Sequence, residues 1–293
     1  MYHKKGLLAV FVLMACTLTM KAEDISGGAE SVSADALVIT NVVTNIITNY
    51  RDGRIVREDP LTIYHPSYIA FGLQKDQVKV QLSFQYDILH YLKIRGLLYG
   101  AYSQLMFWDL YTLSGPFRDF TFNPEVFLRY ESGYNPFGNV RTFLLDVVQL
   151  GFDHRSNGKD GTNSRSIDRL YAFLQLAVGS VFQVGINARY SYYFRIEDNP
   201  DVRLFMGSFE FGAFVRIKID RTEILNIDGR FSFGDSVSFG LTTERYWAEV
   251  TAKVISPLPG VGFFGQGWVG YGESLIDYNK YSWSIRIGVV ARS

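Results

Sequence analysis

Three residues in the segment 150–171 have side chains whose types could act together chemically: His154, Ser156 and Asp168. An imidazole can take the proton of a serine hydroxyl, and a carboxylate on the far side of the ring fixes its tautomer and stabilises the imidazolium. The hydroxyl then becomes a nucleophile for acyl transfer. Because the three groups must lie within hydrogen-bond reach of one another, this chemistry depends on the elements that carry them.

The spacing places the three side chains on one face of two neighbouring strands. His154 and Ser156 are two residues apart, so they project from the same side of an extended strand. That side is apolar in the preceding even positions, Val148, Leu150 and Phe152. Asp168 shares its parity with apolar residues of the next strand, Leu170, Leu174 and Leu176. The set is therefore predicted on the apolar face at the strand ends. Asp146 interrupts the alternation, and a bulge there would weaken this prediction.

Alternation of polar and apolar residues runs through most of the chain from residue 66. In the segment 78–88 every even position is apolar and every odd position is polar. Such runs last about nine to eleven residues, the length of a tilted strand that crosses a bilayer, whereas strands of soluble sandwiches average about five to six. Backbone groups in lipid must all be hydrogen-bonded, so strands of this kind have to close into a barrel.

The sequence therefore predicts an all-β fold, a twelve-stranded antiparallel transmembrane β-barrel with an N-terminal extension. The predicted strands are 66–75, 77–89, 95–107, 122–132, 141–154, 167–178, 181–194, 206–218, 223–233, 237–254, 261–272 and 281–290. An even number suits a single-chain bacterial outer-membrane barrel. On the outer wall of such a barrel, a carboxylate, an imidazole and a hydroxyl are costly unless they bond to one another, and such bonding is the geometry of an activated serine. Polar residues at strand ends are also common at the membrane interface, so the residues alone leave a non-catalytic interpretation open.

The N-terminus is predicted to direct export. Residues 1–22 combine a basic start with an apolar run and indicate a signal peptide, although the segment around Cys16 also resembles a lipoprotein signal. Residues 23–60 are predicted to form an N-terminal extension of undefined role, and 61–293 the barrel domain. These features predict a multi-pass protein of the outer membrane of a Gram-negative bacterium.

Composition excludes several classes of function. The 293 residues include 29 Lys and Arg against 29 Asp and Glu, so nucleic-acid binding is not expected. A single cysteine excludes a disulfide framework and a zinc site built on cysteines. From the residues alone, a serine hydrolase on the outer wall and a non-catalytic porin-like channel or adhesin both remain open. A lipid-anchored soluble β-sandwich is a third interpretation.

Several motifs together resemble the outer membrane phospholipase A family. The central one is His-Arg-Ser-Asn-Gly over 154–158, followed by Ser-Arg-Ser-Ile-Asp-Arg over 164–169. Further matching segments lie outside this region: 64–68, 79–87, 101–104, 116–118 and 123–127. The resemblance covers most of the chain from about residue 60. It implies a twelve-stranded barrel that hydrolyses acyl esters of membrane phospholipids, depends on calcium and acts as a homodimer.

The resemblance also implies the roles of individual residues. Ser156 would be the nucleophile, His154 the general base and the Gly158 N–H an oxyanion donor. Asp168 stands where the best-known members have Asn, which gives a Ser-His-Asp set. The calcium ligands implied by the family are the Ser164 hydroxyl, the Lys159 carbonyl, where the usual residue is Arg, and the Ser114 carbonyl of the partner chain.

Overall fold

The computed structural model describes residues 59–73, 78–92, 96–131, 144–179, 181–219, 222–235 and 241–292. All of them belong to one compact unit, Tyr50–Ser293. The signal peptide predicted over 1–22, and all but the last two residues of the extension predicted over 23–60, lie outside the described residues. In the described ranges, no helix is both long enough and apolar enough to cross a membrane.

The regular secondary structure of the described residues is almost entirely antiparallel strand. The strands are β1 (Leu61–Thr62), β2 (Tyr68–Gly72), β3 (Val78–Asp87), β4 (Leu98–Trp108), β5 (Phe117–Glu131), β6 (Leu144–Ser156), β7 (Ser166–Val178), β8 (Phe182–Arg195), β9 (Phe209–Ile219), β10 (Thr222–Asp235), β11 (Leu241–Ile255), β12 (Val261–Gly270) and β13 (Ser282–Ala291). A short helix, α1 (Val202–Met206), precedes β9, and a single 3₁₀ turn, Gly161–Asn163, lies between β6 and β7.

The strands close into a barrel. Each strand from β2 to β13 pairs with its neighbours in sequence, and β13 pairs back with β2. β1 pairs with β3 on the edge that β2 also uses, because β4 occupies the other edge. The short β1 thus supplements a closed twelve-stranded barrel, and the predicted fold is confirmed.

All twelve predicted strands overlap an observed strand, and their ends differ for local reasons. β5 begins at Phe117, before its predicted start at 122. β9 begins at Phe209 rather than at 206, because α1 ends at Met206 and Gly207, with φ of 74°, turns the chain. The strand predicted over 95–107, which has apolar residues on both faces, is confirmed as β4.

The two faces of the barrel differ in polarity as the alternation predicts. On β3, Leu82 and Phe84 are about half exposed on the outer wall, whereas Lys79, Ser83 and Gln85 are buried toward the lumen. Because a barrel in a bilayer is solvated by hydrocarbon outside, its exposed residues are apolar and its buried residues are polar.

Paired charges fill much of the lumen. Asp153 is fully buried and is bound by two arginines, Arg169 at 2.6 Å and Arg189. On the other side of the barrel, the Arg230 guanidinium contacts the Glu249 carboxylate. A cavity of about 670 Å³ remains between these groups and is lined mainly by polar side chains. Buried charges require partners, and here arginines and carboxylates supply them to each other.

Two connecting segments cover the end of the barrel where β6 meets β7. The segment that contains α1 and the segment 271–281 share an apolar cluster: Ile167, Tyr193, Val202, Leu275 and Tyr278. Tyr278 donates a hydrogen bond to Asp201. Burial, together with this hydrogen bond, raises the pKa of Tyr278 to about 12, so the phenol keeps its proton at neutral pH. This cluster packs beneath the strand ends that carry the candidate active site.

Candidate active site

The pairing of β6 with β7 places the three predicted residues at the end of one hairpin. His154 lies directly opposite Asp168, and Ser156 lies directly opposite Ser166. All three share a parity with Leu150 and Leu170, which are more than half exposed on the outer wall. The alternation predicted this face from the sequence, and the structure places the side chains there.

The interruption of the alternation at Asp146 is a β-bulge. Leu145 lies opposite Leu176 and Val147 opposite Gln175, so Asp146 is the extra residue. Its carboxylate turns to the lumen and accepts a hydrogen bond of 2.7 Å from the Gln175 amide. The bulge lies toward the other end of β6, so the register that carries the site residues is unbroken after it.

The imidazole and the carboxylate are in direct contact. His154 Nδ1 and Asp168 Oδ1 are 2.5 Å apart, and the other carboxylate oxygen, Oδ2, is 3.7 Å from Arg195 Nη1. The Asp168 side chain is 8% exposed and that of His154 34%. The carboxylate therefore fixes the Nδ1 side of the ring, which leaves Nε2 as the nitrogen that can accept a proton from a serine hydroxyl.

The Ser156 hydroxyl is close in sequence and on the same face, but it is not bonded to the imidazole. Among the described residues, the His154 ring forms its side-chain hydrogen bond with Asp168. Residues two apart on a strand are separated by about 6.6 Å along its axis, so the two side chains meet only when their rotamers lean toward each other. Catalytic hydrogen bonds are often open without substrate.

A loop after Ser156 is held by a residue that the sequence did not single out. Asn157 is buried, and its side-chain oxygen accepts hydrogen bonds from the backbone N–H groups of Lys159 and Arg165. Its amide donates to the Asn163 carbonyl at 2.8 Å. An Asn that begins a turn and bonds to the backbone two residues later is a recognised turn signal, so the position after Ser156 could have been predicted to organise this loop.

Gly158 occupies a backbone conformation that favours glycine. Its φ is 65°, and a Cβ there would lie 3.2 Å from the Phe122 ring. Phe122 in turn lies opposite Ser156 in the pairing of β5 with β6. A side chain at 158 would therefore be strained and crowded, and the glycine allows the backbone to pass close to the Phe122 ring.

The residues predicted to bind calcium lie in exposed connections near the site. The Ser164 hydroxyl donates a hydrogen bond of 2.7 Å to Asp198, a carboxylate that the sequence had not linked to this position. Lys159 directs its ammonium to the Arg118 carbonyl at 3.1 Å. Ser114 has φ of 70° in the turn between β4 and β5. Among the described residues, no three His, Cys, Asp or Glu side chains are grouped for a metal.

The donor chemistry nevertheless fits calcium. A hydroxyl, a carboxylate and main-chain carbonyls are oxygen donors, which a hard cation prefers. Ser164 and Asp198 are in contact, and Ser164 is in the same loop as Lys159. The expected third member, Ser114, would come from a second chain, so a single chain would hold only part of the set.

The known proteins that this chain resembles are phospholipases. The family model described as Phospholipase A1 matches residues 29–291. Phospholipase A1 of Klebsiella pneumoniae is 30% identical over 227 residues, which cover 75% of this chain and 72% of that protein. Phospholipase A1 of Escherichia coli K12 is 29% identical over 224 residues, 75% of this chain and 71% of that protein.

Two solved structures share the fold. Outer membrane phospholipase A from Escherichia coli superposes with a TM-score of 0.64 at 25% identity and covers 80% of this chain and 98% of that chain. The structure of the Salmonella typhi outer membrane phospholipase is a dimer with bound calcium. It superposes with a TM-score of 0.66 at 25% identity, and the match covers 85% of this chain and 97% of that chain.

A closed twelve-stranded barrel with a histidine and a carboxylate paired on its outer wall defines an integral outer-membrane protein with a candidate hydrolytic site. The chain belongs to the phospholipase A1 family. It is an enzyme of the outer membrane that acts as a phospholipase.

Proposed function

We propose that this protein is a calcium-dependent serine hydrolase that cleaves acyl esters of phospholipids through Ser156, His154 and Asp168. The observation that carries the proposal is the 2.5 Å contact between His154 Nδ1 and Asp168 Oδ1 on the outer wall, with Ser156 two residues along the same face. If the contact between His154 and Asp168 only stabilised the fold, it would not require the Ser156 hydroxyl beside it.

The proposed reaction uses the three side chains in turn. His154 Nε2 takes the proton of the Ser156 hydroxyl as Oγ forms a bond to the carbonyl carbon of the ester. The Gly158 N–H donates to the oxyanion that forms. The imidazolium, held by Asp168, then gives its proton to the alkoxide that leaves with the rest of the lipid. Water then attacks the carbonyl carbon of the acyl-enzyme while His154 takes its proton. The imidazolium returns that proton to Ser156 Oγ as the acyl–Oγ bond breaks and the fatty acid leaves.

The location on the outer wall defines how substrate arrives. Leu150 and Leu170 border the site and are exposed to hydrocarbon. A phospholipid can therefore approach laterally with its acyl chains still in the bilayer, and only the ester group has to reach the strand ends. Cleavage of either acyl ester, and of the lysophospholipid product, is compatible with this open approach.

Calcium would be held by oxygen donors of Ser164, Lys159 and Asp198, with Ser114 of a second chain completing the set in a homodimer. When bound, the cation would add positive charge beside the developing oxyanion. The support for a homodimer is that the fold neighbour from Salmonella typhi is a dimer with bound calcium.

Hydrolysis by purified protein tests the nucleophile. Wild-type protein in detergent with calcium should release fatty acid from phospholipid, and Ser156→Ala should not. Ser166→Ala is the matched control, because Ser166 lies opposite Ser156 on the neighbouring strand and should be dispensable. Full activity of Ser156→Ala would refute the assignment.

Removal of calcium tests the second half of the proposal. A chelator should suppress hydrolysis and shift the protein from dimer to monomer in sedimentation measurements, and excess calcium should restore both. Rates that stay unchanged in chelator would contradict the metal assignment. Ser164→Ala should raise the calcium concentration required for half-maximal rate.

A further inference from the structure

The strand next to the candidate active site carries a β-bulge beside Asp168. In the pairing of β7 with β8, Asp168 lies opposite Arg195 and Arg169 lies opposite Tyr193, so Phe194 is the extra residue. A bulge re-aims the side chains that follow it. With regular alternation Phe194 would lie opposite Asp168, and Arg195 would share the lumen-facing parity of the buried Tyr193.

The bulge brings a cation to the outer wall next to the carboxylate. Arg195 Nη1 is 3.7 Å from Asp168 Oδ2, while Asp168 Oδ1 lies against His154. The arginine side chain is 69% exposed and the carboxylate is 8% exposed. A nearly buried carboxylate on an apolar wall needs partners, because an unpaired charge there is costly. One oxygen of the Asp168 carboxylate, Oδ1, contacts the histidine, and the other, Oδ2, lies nearest the arginine.

We propose that Arg195 is a positioning residue of this site, which holds the Asp168 carboxylate in the orientation that accepts the hydrogen bond from His154 Nδ1–H. Its effect on hydrolysis rests on the proposed function. Arg195 acts through the charge of Asp168, so its contribution depends on which residue occupies position 168. An amide at that position carries no charge and needs no cation beside it.

A double-mutant cycle between positions 195 and 168 tests this dependence. Arg195→Gln should lower kcat for phospholipid hydrolysis about fivefold, equivalent to about 1 kcal/mol, with little change in KM. Arg195→Lys should retain most of the rate, because one cationic donor is enough for a single-oxygen contact. In the Asp168→Asn protein, Arg195→Gln should have no further effect.

Two kinetic results would overturn the proposal. An equal loss from Arg195→Gln in the Asp168 and Asp168→Asn proteins would mean that Arg195 does not act through the carboxylate. A raised KM with unchanged kcat would mean that the exposed guanidinium binds the lipid headgroup instead. Arg203→Gln is the matched control, since Arg203 is an exposed arginine 3.9 Å from Asp235 Oδ2 in the segment that leads to β9, and its loss should leave the rate unchanged.

A spectroscopic measurement without lipid separates this proposal from the proposed function. The Nδ1 proton of His154 should give a downfield proton resonance in detergent-solubilised wild-type protein, because it is hydrogen-bonded to a carboxylate. The resonance should weaken or shift in Arg195→Gln, return in Arg195→Lys and persist in Arg203→Gln. An unchanged resonance in Arg195→Gln overturns the positioning role even if the enzyme hydrolyses phospholipid. Absent hydrolysis by the wild type refutes the proposed function, while the resonance still decides the role of Arg195.

Discussion

At the scale of single residues, consecutive side chains of one strand point to opposite sides of the barrel wall. Asp153 is fully buried and is held by two lumen arginines, whereas the next residue, His154, points outward to Asp168. Parity alone predicted these directions, because side chains alternate along a strand. Sequence also indicated Ser156 on the outer face. It could not indicate Arg195, since regular alternation would turn that side chain to the lumen.

The role of Asp168 predicts a graded response to substitution. Asp168→Ala removes the acceptor for the Nδ1 proton of His154 and should lower kcat by about 10²-fold or more, since general-base catalysis contributes about 10²- to 10⁴-fold. Asp168→Asn keeps an oxygen acceptor and should lose much less. Initial rates of fatty acid release measure both variants, and equal losses would contradict an orienting role for residue 168.

At the scale of elements, the sequence predicted what depends on local periodicity. Each of the twelve strands has a polar and an apolar face. This alternation can be recognised in the sequence of one strand without knowing which strands pair with it. Strand β1 and the bulge at Phe194 depend on register with an adjacent strand. Helix α1 has five residues and is stabilised by an apolar cluster assembled from distant segments. Local sequence carries little signal for such features.

The loop between β6 and β7 should depend on Asn157. Asn157→Ala removes three side-chain hydrogen bonds of a buried residue, including those to the backbone N–H groups of Lys159 and Arg165. Each such bond contributes about 1 kcal/mol. We expect reduced hydrolysis and a higher calcium requirement, because Gly158 and Lys159 lose their positions.

The matched control for this loop is Asn163→Ala. Asn157 binds the backbone carbonyl of Asn163, which the substitution preserves. Calcium titrations of hydrolysis should therefore resemble those of the wild type. Similar losses in Asn157→Ala and Asn163→Ala would show that the hydrogen bonds of Asn157 do not organise the site.

At the scale of the whole molecule, the lumen supports the wall and the chemistry takes place outside it. Charges of opposite sign pair inside the lumen, as in Arg230 with Glu249 and Arg286 with Glu273. Connecting segments cover the end of the barrel beside the site. The porin-like alternative predicts an open conductive lumen, whereas this arrangement predicts no large conductance in planar bilayers.

Loss of a lumen carboxylate should destabilise the barrel more than a typical substitution. Asp153→Ala leaves Arg169 and Arg189 buried without their shared partner, which should cost about 3 kcal/mol or more. Asp228→Ala is the control, because Asp228 is 27% exposed and lies 3.8 Å from Arg230. Urea unfolding of the two variants in detergent measures the difference, and equal midpoints would contradict the structural role of Asp153.

The most direct test of the central claim is covalent labelling of the nucleophile. A lipophilic fluorophosphonate added to detergent-solubilised protein with calcium should modify Ser156, and mass spectrometry of the peptides should locate the label there. His154→Ala should slow the labelling by about 10²-fold, since the hydroxyl loses its general base. Labelling of a different serine, or an unchanged rate in His154→Ala, would contradict the account.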